Sequence, residues 1–353
     1  MKAAGPIAMS RMTSAAGGCF AVALALLLAL QAATAQPATI GDFYRGKTIT
    51  IVIGYSAGGG YEIFARLLAR HLGRHVPGNP AVVPQNMPGA GSRKAVMYLY
   101  NVAAKDGTVI GTIGRNEPIA PLLEDDAAFD GTKFGWIGSI ANDNSICLSW
   151  HNAPVKTWND LQSRELTVGA LAPGDNTVTV PLALRNLFGA KLKLVKGYPG
   201  TSDLFLALER GEVEGACGVS WRPIMTQRRD WIAGRKINIL VEVALEKDPS
   251  LSDTPLITQL ARDDDQVKTL SLLIATQAMA RPFLAPPGIP DAQKIALRQA
   301  FDETMKDPLF LSDAEKSGLY VHPMAGGRID ELLAGLYATP KDLIKKAAKA
   351  IQD

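Results

Sequence analysis

The most constraining feature of the sequence is a strand, a glycine turn and a helix in direct succession over residues 48–72. Residues 48–53, TITIVI, are β-branched and apolar, which predicts a strand buried on both faces. Apolar residues then recur from Ile63 to Leu72 at the spacing of one helix face. The intervening glycines can expose the first amides of the helix to an anion, or can simply form a tight turn. Both interpretations are open at this point.

The glycine turn does not match the familiar phosphate-binding motifs. The Lys-Ser/Thr pair that completes a P-loop is missing, and Ile63 stands where the last glycine of Gly-x-Gly-x-x-Gly would fall. The sequence therefore predicts neither a nucleotide site nor any other cofactor.

The N-terminus has the order of residues found in secretory signal peptides. Lys2 and Arg11 precede an apolar run over residues 20–30, and Ala33-Thr34-Ala35 follows it. The apolar run is too short to span a bilayer. We therefore expect a signal peptide over residues 1–35, cleaved near Ala35, and an exported protein.

The balance of charge excludes one class of partner. Cleavage after Ala35 would remove two basic and no acidic side chains, which leaves 35 Lys and Arg against 34 Asp and Glu. A chain so close to neutral has no basic surface for nucleic acid. Its length exceeds what one core usually supports, so two domains are expected.

The sequence offers no set of catalytic or metal-binding residues. Cys147 and Cys217 each lie in an apolar run, and export permits either a disulfide between them or two buried thiols. His71 and His75 are four residues apart but lack the glutamate of a zinc-protease helix. No nucleophile elbow is present. We therefore predict no catalytic residue, no metal and no enzyme.

Strand and helix patterns alternate in two series. The first has strands near residues 48–53, 81–84 and 108–113. The second has five strands, near residues 145–149, 166–169, 192–195, 213–219 and 237–243. A mostly helical tail follows. This order predicts an α/β fold in which a second unit, residues 140–244, is inserted into a first unit made of residues 36–139 and 245–353.

Turns rich in small residues follow several of the predicted strands. Three lie in the first series at residues 58–60, 89–92 and 114–116, and two lie in the second at residues 170–177 and 197–204. The carboxyl ends of parallel strands are where open α/β sheets bind ligands. We expect these turns to face a cleft between the two units.

The ordered set of motifs resembles the periplasmic solute-binding receptors of tripartite tricarboxylate transporters, also called Bug proteins. Residues 55–66, YSAGGGYEIFAR, are similar to the first family motif, with Ser56 in place of its proline and Glu62 in place of its aspartate. Residues 86–91, NMPGAG, match the second motif. The segments KDGT at 105–108, YPGTSDL at 198–204 and FLAPPGIP at 283–290 are also similar to family landmarks. The resemblance covers essentially the whole chain after the signal peptide.

The resemblance implies a two-lobed type II periplasmic-binding-protein fold with a hinged cleft. Such a protein is a periplasmic receptor, expected to be a monomer, that closes on a small organic carboxylate and delivers it to membrane permease subunits. A secreted enzyme or a ligand sensor on the same scaffold is the alternative. The ligand-binding residues that the resemblance implies are Gly58, Gly59, Gly60, Tyr61, Gly89, Ala90, Gly91, Ser92, Gly174, Asn176, Thr177 and Asp203; Tyr55, Arg115 and Trp221 are added because they lie at strand ends.

Several of these residues have a structural alternative. Asp203 can cap the helix that follows it, and Glu62 can complement the dipole of its own helix. Tyr61 and Trp221 can stack on an aromatic acid or pack in the core. The sequence leaves these alternatives open.

Overall fold

A computed structural model describes residues 1–3, 5, 39–125 and 127–353 of the chain. Apart from residues 1–3 and 5, the expected signal peptide lies outside this described part. Contacts group Ile40–Asp353 into one unit. Among the helices described, none is long and apolar enough to cross a membrane.

The first part of the unit builds parallel strands that alternate with helices. Its elements are α1 (Ile40–Tyr44), β1 (Thr48–Ile53), α2 (Gly60–Leu72), β2 (Ala81–Asn86), α3 (Arg93–Asn101), β3 (Val109–Thr112), α4 (Ala120–Leu123) and β4 (Gly135–Ser139). Strand β1 lies parallel to both β2 and β3. Ile49, Ile51 and Ile53 of β1 are fully buried, as expected for a strand covered on both faces.

The chain then leaves this sheet and builds a second one. Its elements are β5 (Ser145–Trp150), α5 (Trp158–Ser163), β6 (Leu166–Ala170), α6 (Asn176–Phe188), β7 (Leu192–Lys196), α7 (Thr201–Glu209), β8 (Gly215–Ser220), α8 (Trp221–Gln227), α9 (Arg229–Ala233) and β9 (Ile237–Val243). The strand order is β7-β6-β8-β5-β9. The sequence prediction of these five strands is confirmed to within about two residues.

The last part of the chain returns to the first sheet. Its elements are α10 (Asp264–Ile274), β10 (Pro282–Ala285), α11 (Asp291–Thr304), α12 (Pro308–Lys316), β11 (Met324–Ala325), α13 (Gly326–Tyr337) and α14 (Lys341–Ala350). Strand β10 lies antiparallel between β3 and β4, so the first sheet has the order β11-β4-β10-β3-β1-β2. Sequence analysis predicted a mostly helical tail and no strand here. Four consecutive buried residues are too few to show a period, which is why β10 was missed.

Each sheet has its own apolar packing. Ile51, Leu68 and Phe301 belong to a cluster on the first sheet, and Val168 and Val241 belong to a cluster on the second. The second cluster also includes residues of the helical tail, namely Leu270, Leu273, Ile274, Ala347 and Ala350. The strands change sheet after Ser139 and again after Val243, while the assignment of residues 245–353 to the first unit stays a prediction.

Candidate functional site

The glycine turn after β1 directs the start of α2 into a cavity of about 280 Å³. Gly58 has a φ of +81°, a left-handed conformation that glycine adopts without strain. The Gly58 N–H donates to Glu62 Oε2 at 3.2 Å, and Glu62 also pairs with Arg66. Glu62, in the first turn of α2, therefore stabilises the conformation of the glycine turn. The first amides of α2 are left for other partners.

Eight of the fifteen residues predicted to bind ligand line this cavity. They come from the first glycine turn, from the end of β3 and from the start of α6. They are Tyr55, Gly58, Gly59, Gly60, Tyr61, Arg115, Asn176 and Thr177. Whether these residues contact a ligand stays a prediction.

The second glycine turn does not line the cavity. A Cβ atom on Gly91 would lie 3.2 Å from Asp175 Cβ, so this turn packs against the loop that carries Asp175. Ser92 Oγ accepts a hydrogen bond from the Gly114 N–H at 2.8 Å. In this structure Gly89, Ala90, Gly91 and Ser92 therefore lie outside the cavity lining.

Three further predicted residues also lie outside the cavity lining. Asp203, in the first turn of α7, accepts a hydrogen bond from Ser56 Oγ at 2.8 Å. Trp221 is 4 % exposed and donates to Ser250 Oγ at 2.8 Å. Gly174 has a φ of +81° and lies over a cluster of charged side chains.

That charged cluster joins α3 to the loops around it. Arg93 donates to Glu117 Oε2 at 2.6 Å and to Glu124 Oε2 at 2.8 Å. Glu117 is buried, and within the described residues its other oxygen has no hydrogen-bond partner. Burial raises the pKa of Glu117 to about 8, although the charge of Arg93 acts in the opposite direction.

Two tyrosines form one wall of the cavity. The rings of Tyr55 and Tyr61 stack with their centroids 4.4 Å apart. Tyr55 Oη donates to Asp175 Oδ2 at 2.9 Å, and Tyr61 Oη accepts from the Arg115 N–H at 3.0 Å. Burial raises the pKa of both phenols, and for Tyr55 the charge of Asp175 adds to the effect. Both hydroxyls are therefore neutral at physiological pH.

Two arginines that adjoin strands β3 and β10 of the first sheet are buried beside the wall formed by Tyr55 and Tyr61. Arg115 is 2 % exposed and Arg281 is 3 % exposed. Arg115 Nη2 donates to Ser145 Oγ, and Arg281 Nη2 donates to Ser220 Oγ at 3.1 Å. Arg115 Nη1 and Arg281 Nε have no hydrogen-bond partner among the described residues. Buried cationic donors without partners are costly, and both arginines that carry them are among the residues that line the cavity.

Sequence analysis missed more than half of the cavity lining. The missed residues are Asp175, Thr201, Ser202, Phe205, Gly218, Ser220, Pro223, Gln227, Arg228 and Arg281. A signal for Arg281 does exist, because it is the one charged side chain between Lys268 and Asp291. A lone arginine in an apolar stretch is either paired or functional when it is buried.

The two cysteines face each other across the second sheet. Cys147 of β5 and Cys217 of β8 are register partners with Cα atoms 3.8 Å apart, and their sulfur atoms lie within bonding distance. Both side chains are fully buried. A disulfide between them stays a prediction that thiol chemistry can test.

The structure has two α/β sheets joined by crossing segments, and the cavity lies at the carboxyl ends of β1 and β3. The fold is the two-lobed type II fold of periplasmic binding proteins. No family model and no curated protein matches the sequence significantly.

Solved structures of Bug and TctC proteins share this fold. The periplasmic binding protein BugD has a TM-score of 0.70 and 18% identity over 86% of this chain and 98% of its own. MatC from Rhodopseudomonas palustris with bound malate has a TM-score of 0.66 and 18% identity over 85% of this chain and 99% of its own. A third protein, from R. palustris with adipate, has a TM-score of 0.66 and 18% identity over 86% and 97%. The resemblance to Bug proteins is thus confirmed at the level of the fold.

Proposed function

We propose that this protein is a periplasmic receptor of the Bug type that binds a small organic carboxylate between its lobes and delivers it to the permease subunits of a tripartite transporter. One observation carries the proposal. Arg115 is buried and lines the cavity, its guanidinium contacts the Ser145 hydroxyl but no carboxylate among the described residues, and its Nη1 has no partner there. A carboxylate fits a guanidinium in both charge and geometry.

The start of α2 supports the same ligand chemistry. The cap residue Gly59 has no side chain, and Gly59, Gly60 and Tyr61 at the start of α2 line the cavity. A helix N-terminus favours an anion through its free N–H groups and its dipole. MatC and the related R. palustris protein hold malate and adipate, which are carboxylates, on the same fold.

The proposed mechanism is hinged closure. Hydrogen bonds run across the cleft from Tyr55 to Asp175 and from Ser56 to Asp203. A ligand that contacts both lobes binds the closed state better than the open state, and this difference in affinity shifts the population toward closure. The closed surface is then what a permease recognises, and a single chain suffices for this role.

The cavity chemistry supports binding without turnover. Its described lining contains no histidine, cysteine, lysine or glutamate, so a paired nucleophile and base are missing from it. Asp175 lines the cavity, but its oxygens accept hydrogen bonds from Thr177 and Tyr55. We therefore propose a receptor and no enzyme.

The test is ligand identification followed by a binding panel. Mass spectrometry of protein purified under native conditions should find a small organic acid. After unfolding, washing and refolding, the protein should be stabilised by the matching acid by about 2.7 kcal/mol at 100 times its dissociation constant. A panel of mono-, di- and tricarboxylates that produces no thermal shift would contradict the proposal, and conversion of any bound acid would favour the enzyme alternative.

A further inference from the structure

The loop after β6 covers a carboxyl group that belongs to the other sheet. Glu117 lies between β3 and α4, at the first sheet, whereas Gly174 lies between β6 and α6, at the second. A Cβ atom on Gly174 would be 3.3 Å from Glu117 Oε1 and 3.1 Å from Glu124 Oε1. Gly174 has a φ of +81°, so a glycine suits both the backbone conformation and this close approach. Under this loop Glu117 is only 1 % exposed.

The same loop has further contacts with residues of the first sheet. A Cβ atom on Gly91 would lie 3.2 Å from Asp175 Cβ, and Tyr55 Oη donates to Asp175 Oδ2 at 2.9 Å. These contacts join segments that follow strands of different sheets. In the hinged closure proposed above, residues 172–175 therefore approach Glu117 when the lobes close and move away from it when they open.

The surroundings of Glu117 in this structure favour its neutral form. Arg93 Nε donates to Glu117 Oε2 at 2.6 Å, but Oε1 has no hydrogen-bond partner among the described residues. A buried carboxylate oxygen without a partner is costly. The charged and titratable groups that face Glu117 in the described part of the chain are Arg93, Glu124, Asp175 and Tyr55.

The covering loop is what sets this balance. Burial is the largest cause of the raised pKa of Glu117, Arg93 opposes it, and the charges of Glu124 and Asp175 add to it. When the loop moves away, water can reach Oε1 and Asp175 leaves, whereas Arg93 stays beside the carboxyl group. The pKa of Glu117 is therefore lower in the open state than in the closed state.

We propose that closure of the lobes on a ligand takes up a proton at Glu117. The inference rests on the proposed receptor and makes a proton the second species that it binds. In the open state Glu117 is a hydrated carboxylate; on closure it takes one proton from solvent and becomes a neutral carboxyl group. The proton stabilises the closed state at low pH, and this contribution is lost as pH rises through about 8, the pKa of the covered group. Affinity for a carboxylate should fall accordingly.

The test counts protons by calorimetry. Succinate, adipate and benzoate are titrated at pH 7 into the full chain after signal removal, freed of bound ligand, in HEPES and in Tris. The two buffers differ in ionisation enthalpy, so the difference in observed enthalpy gives the number of protons taken up per acid bound. The wild type should take up about one proton, and Glu117→Gln, which is neutral in both states, should take up about none. If none of the three acids binds, the tightest acid of the wider panel replaces them.

The pH dependence of affinity provides a second measurement. Between pH 6.5 and pH 8.5 the affinity of the wild type should fall by about tenfold or more, and that of Glu117→Gln by less than about twofold. At pH 8.5 the variant should bind about fivefold more tightly than the wild type, because closure no longer buries a carboxylate. A gain of affinity separates this role from a structural one, since a distorted protein would bind more weakly.

Glu331→Gln is the control, because Glu331 is an exposed acid on α13 that pairs with Arg328. It should take up as many protons as the wild type. If Glu117→Gln folds poorly, Glu117→Met is also neutral, has a similar length and should show the same loss of proton uptake. Binding without proton uptake in the wild type, or equal uptake in the wild type and a Glu117 variant, would overturn this inference and leave the receptor proposal standing. A failure of every carboxylate in the wider panel would overturn both.

Discussion

At the scale of single residues, burial determines the chemistry of this protein. Arg115 Nη1 and Arg281 Nε are buried donors that have no hydrogen-bond partner among the described residues. Glu117 shows the opposite case, a carboxyl group whose burial outweighs the cation beside it. In each case the residue type alone did not predict the hydrogen bonding or the ionisation of the group. Its burial and the neighbouring charges determined them.

The raised pKa of Glu117 predicts a pH dependence of stability. An acid whose pKa is raised by folding binds its proton more tightly in the native state, so its stabilising contribution is present at low pH and is lost as pH rises through about 8. Glu117→Gln stays neutral and should remove this loss.

Urea unfolding of wild type and Glu117→Gln between pH 5.5 and pH 8.5 provides the measurement. The free energy of unfolding of the wild type should fall relative to the variant by up to about 1.4 kcal/mol per pH unit. The charged groups that face Glu117 are Arg93, Glu124 and Asp175, and all three are kept in the variant. Parallel pH profiles of the two proteins would show that Glu117 is ionised in the native state.

At the scale of elements, the two glycine turns have different roles in the structure. Gly59 lines the cavity, and the nearest atoms to a Cβ there are 3.9 Å away, so the fold has room for a side chain. Gly91 has a φ of +63° and faces Asp175 and Ala172, so a side chain there would strain the backbone and push the loops apart. Two motifs that look alike in sequence therefore predict different effects of substitution.

Gly59→Val should weaken carboxylate binding while the fold is retained. The side chain would enter the space beside the first amides of α2, and valine at a helix N-cap costs only about 1 kcal/mol of stability. Calorimetry and thermal unfolding check both quantities. Gly327→Val is the control, because a Cβ there meets no atom within 4 Å, and it should not change affinity. Wild-type affinity in Gly59→Val would place the carboxylate elsewhere.

The pairing of β5 with β8 predicts a disulfide between Cys147 and Cys217 in the exported protein. No free thiol should react with a thiol reagent in denaturant, and reduction should release two. Reduction should also lower the free energy of unfolding by about 4 kcal/mol, as for a closed loop of 70 residues. Two reactive thiols in the unreduced, denatured protein would show that the cysteines are free.

At the scale of the whole molecule, the proposed closure on a ligand would depend on contacts between the two lobes. Residues that line the cavity come from both sheets, and Ser56 and Asp203 meet outside it. Such a contact can change affinity without touching the ligand, because it stabilises only the closed state.

Ser56→Ala should therefore weaken carboxylate binding by about 0.5–1.5 kcal/mol, the net contribution of one hydrogen bond. Because Ser56 does not line the cavity, the relative affinities for different acids should not change. Ser163→Ala removes a comparable hydrogen bond within α5, 3.1 Å long, and serves as the control. Equal affinities of the two variants would show that the contact from Ser56 to Asp203 does not contribute to closure.

Much of this protein is encoded locally. The β-branched runs, the helix periodicity and the glycine turns predicted β1, β2, β3 and the five strands of the second sheet, since each depends on residues a few positions apart. The resemblance of short motifs to the Bug family, together with residues added at strand ends, predicted eight of the eighteen residues that line the cavity. Local pattern therefore determined the α/β class, whereas fewer than half of the cavity residues were named from the sequence.

The tertiary structure decided the rest. Strand β10 enters the first sheet between β3 and β4, and Arg281 precedes it by one residue, so the return of the chain brings this arginine beside Arg115. No local pattern records a pairing between residues that are more than 160 positions apart. The opening glycine turn alone is compatible with any anion. The charge that it faces depends on long-range packing, because Arg115 and Arg281 come from distant parts of the chain.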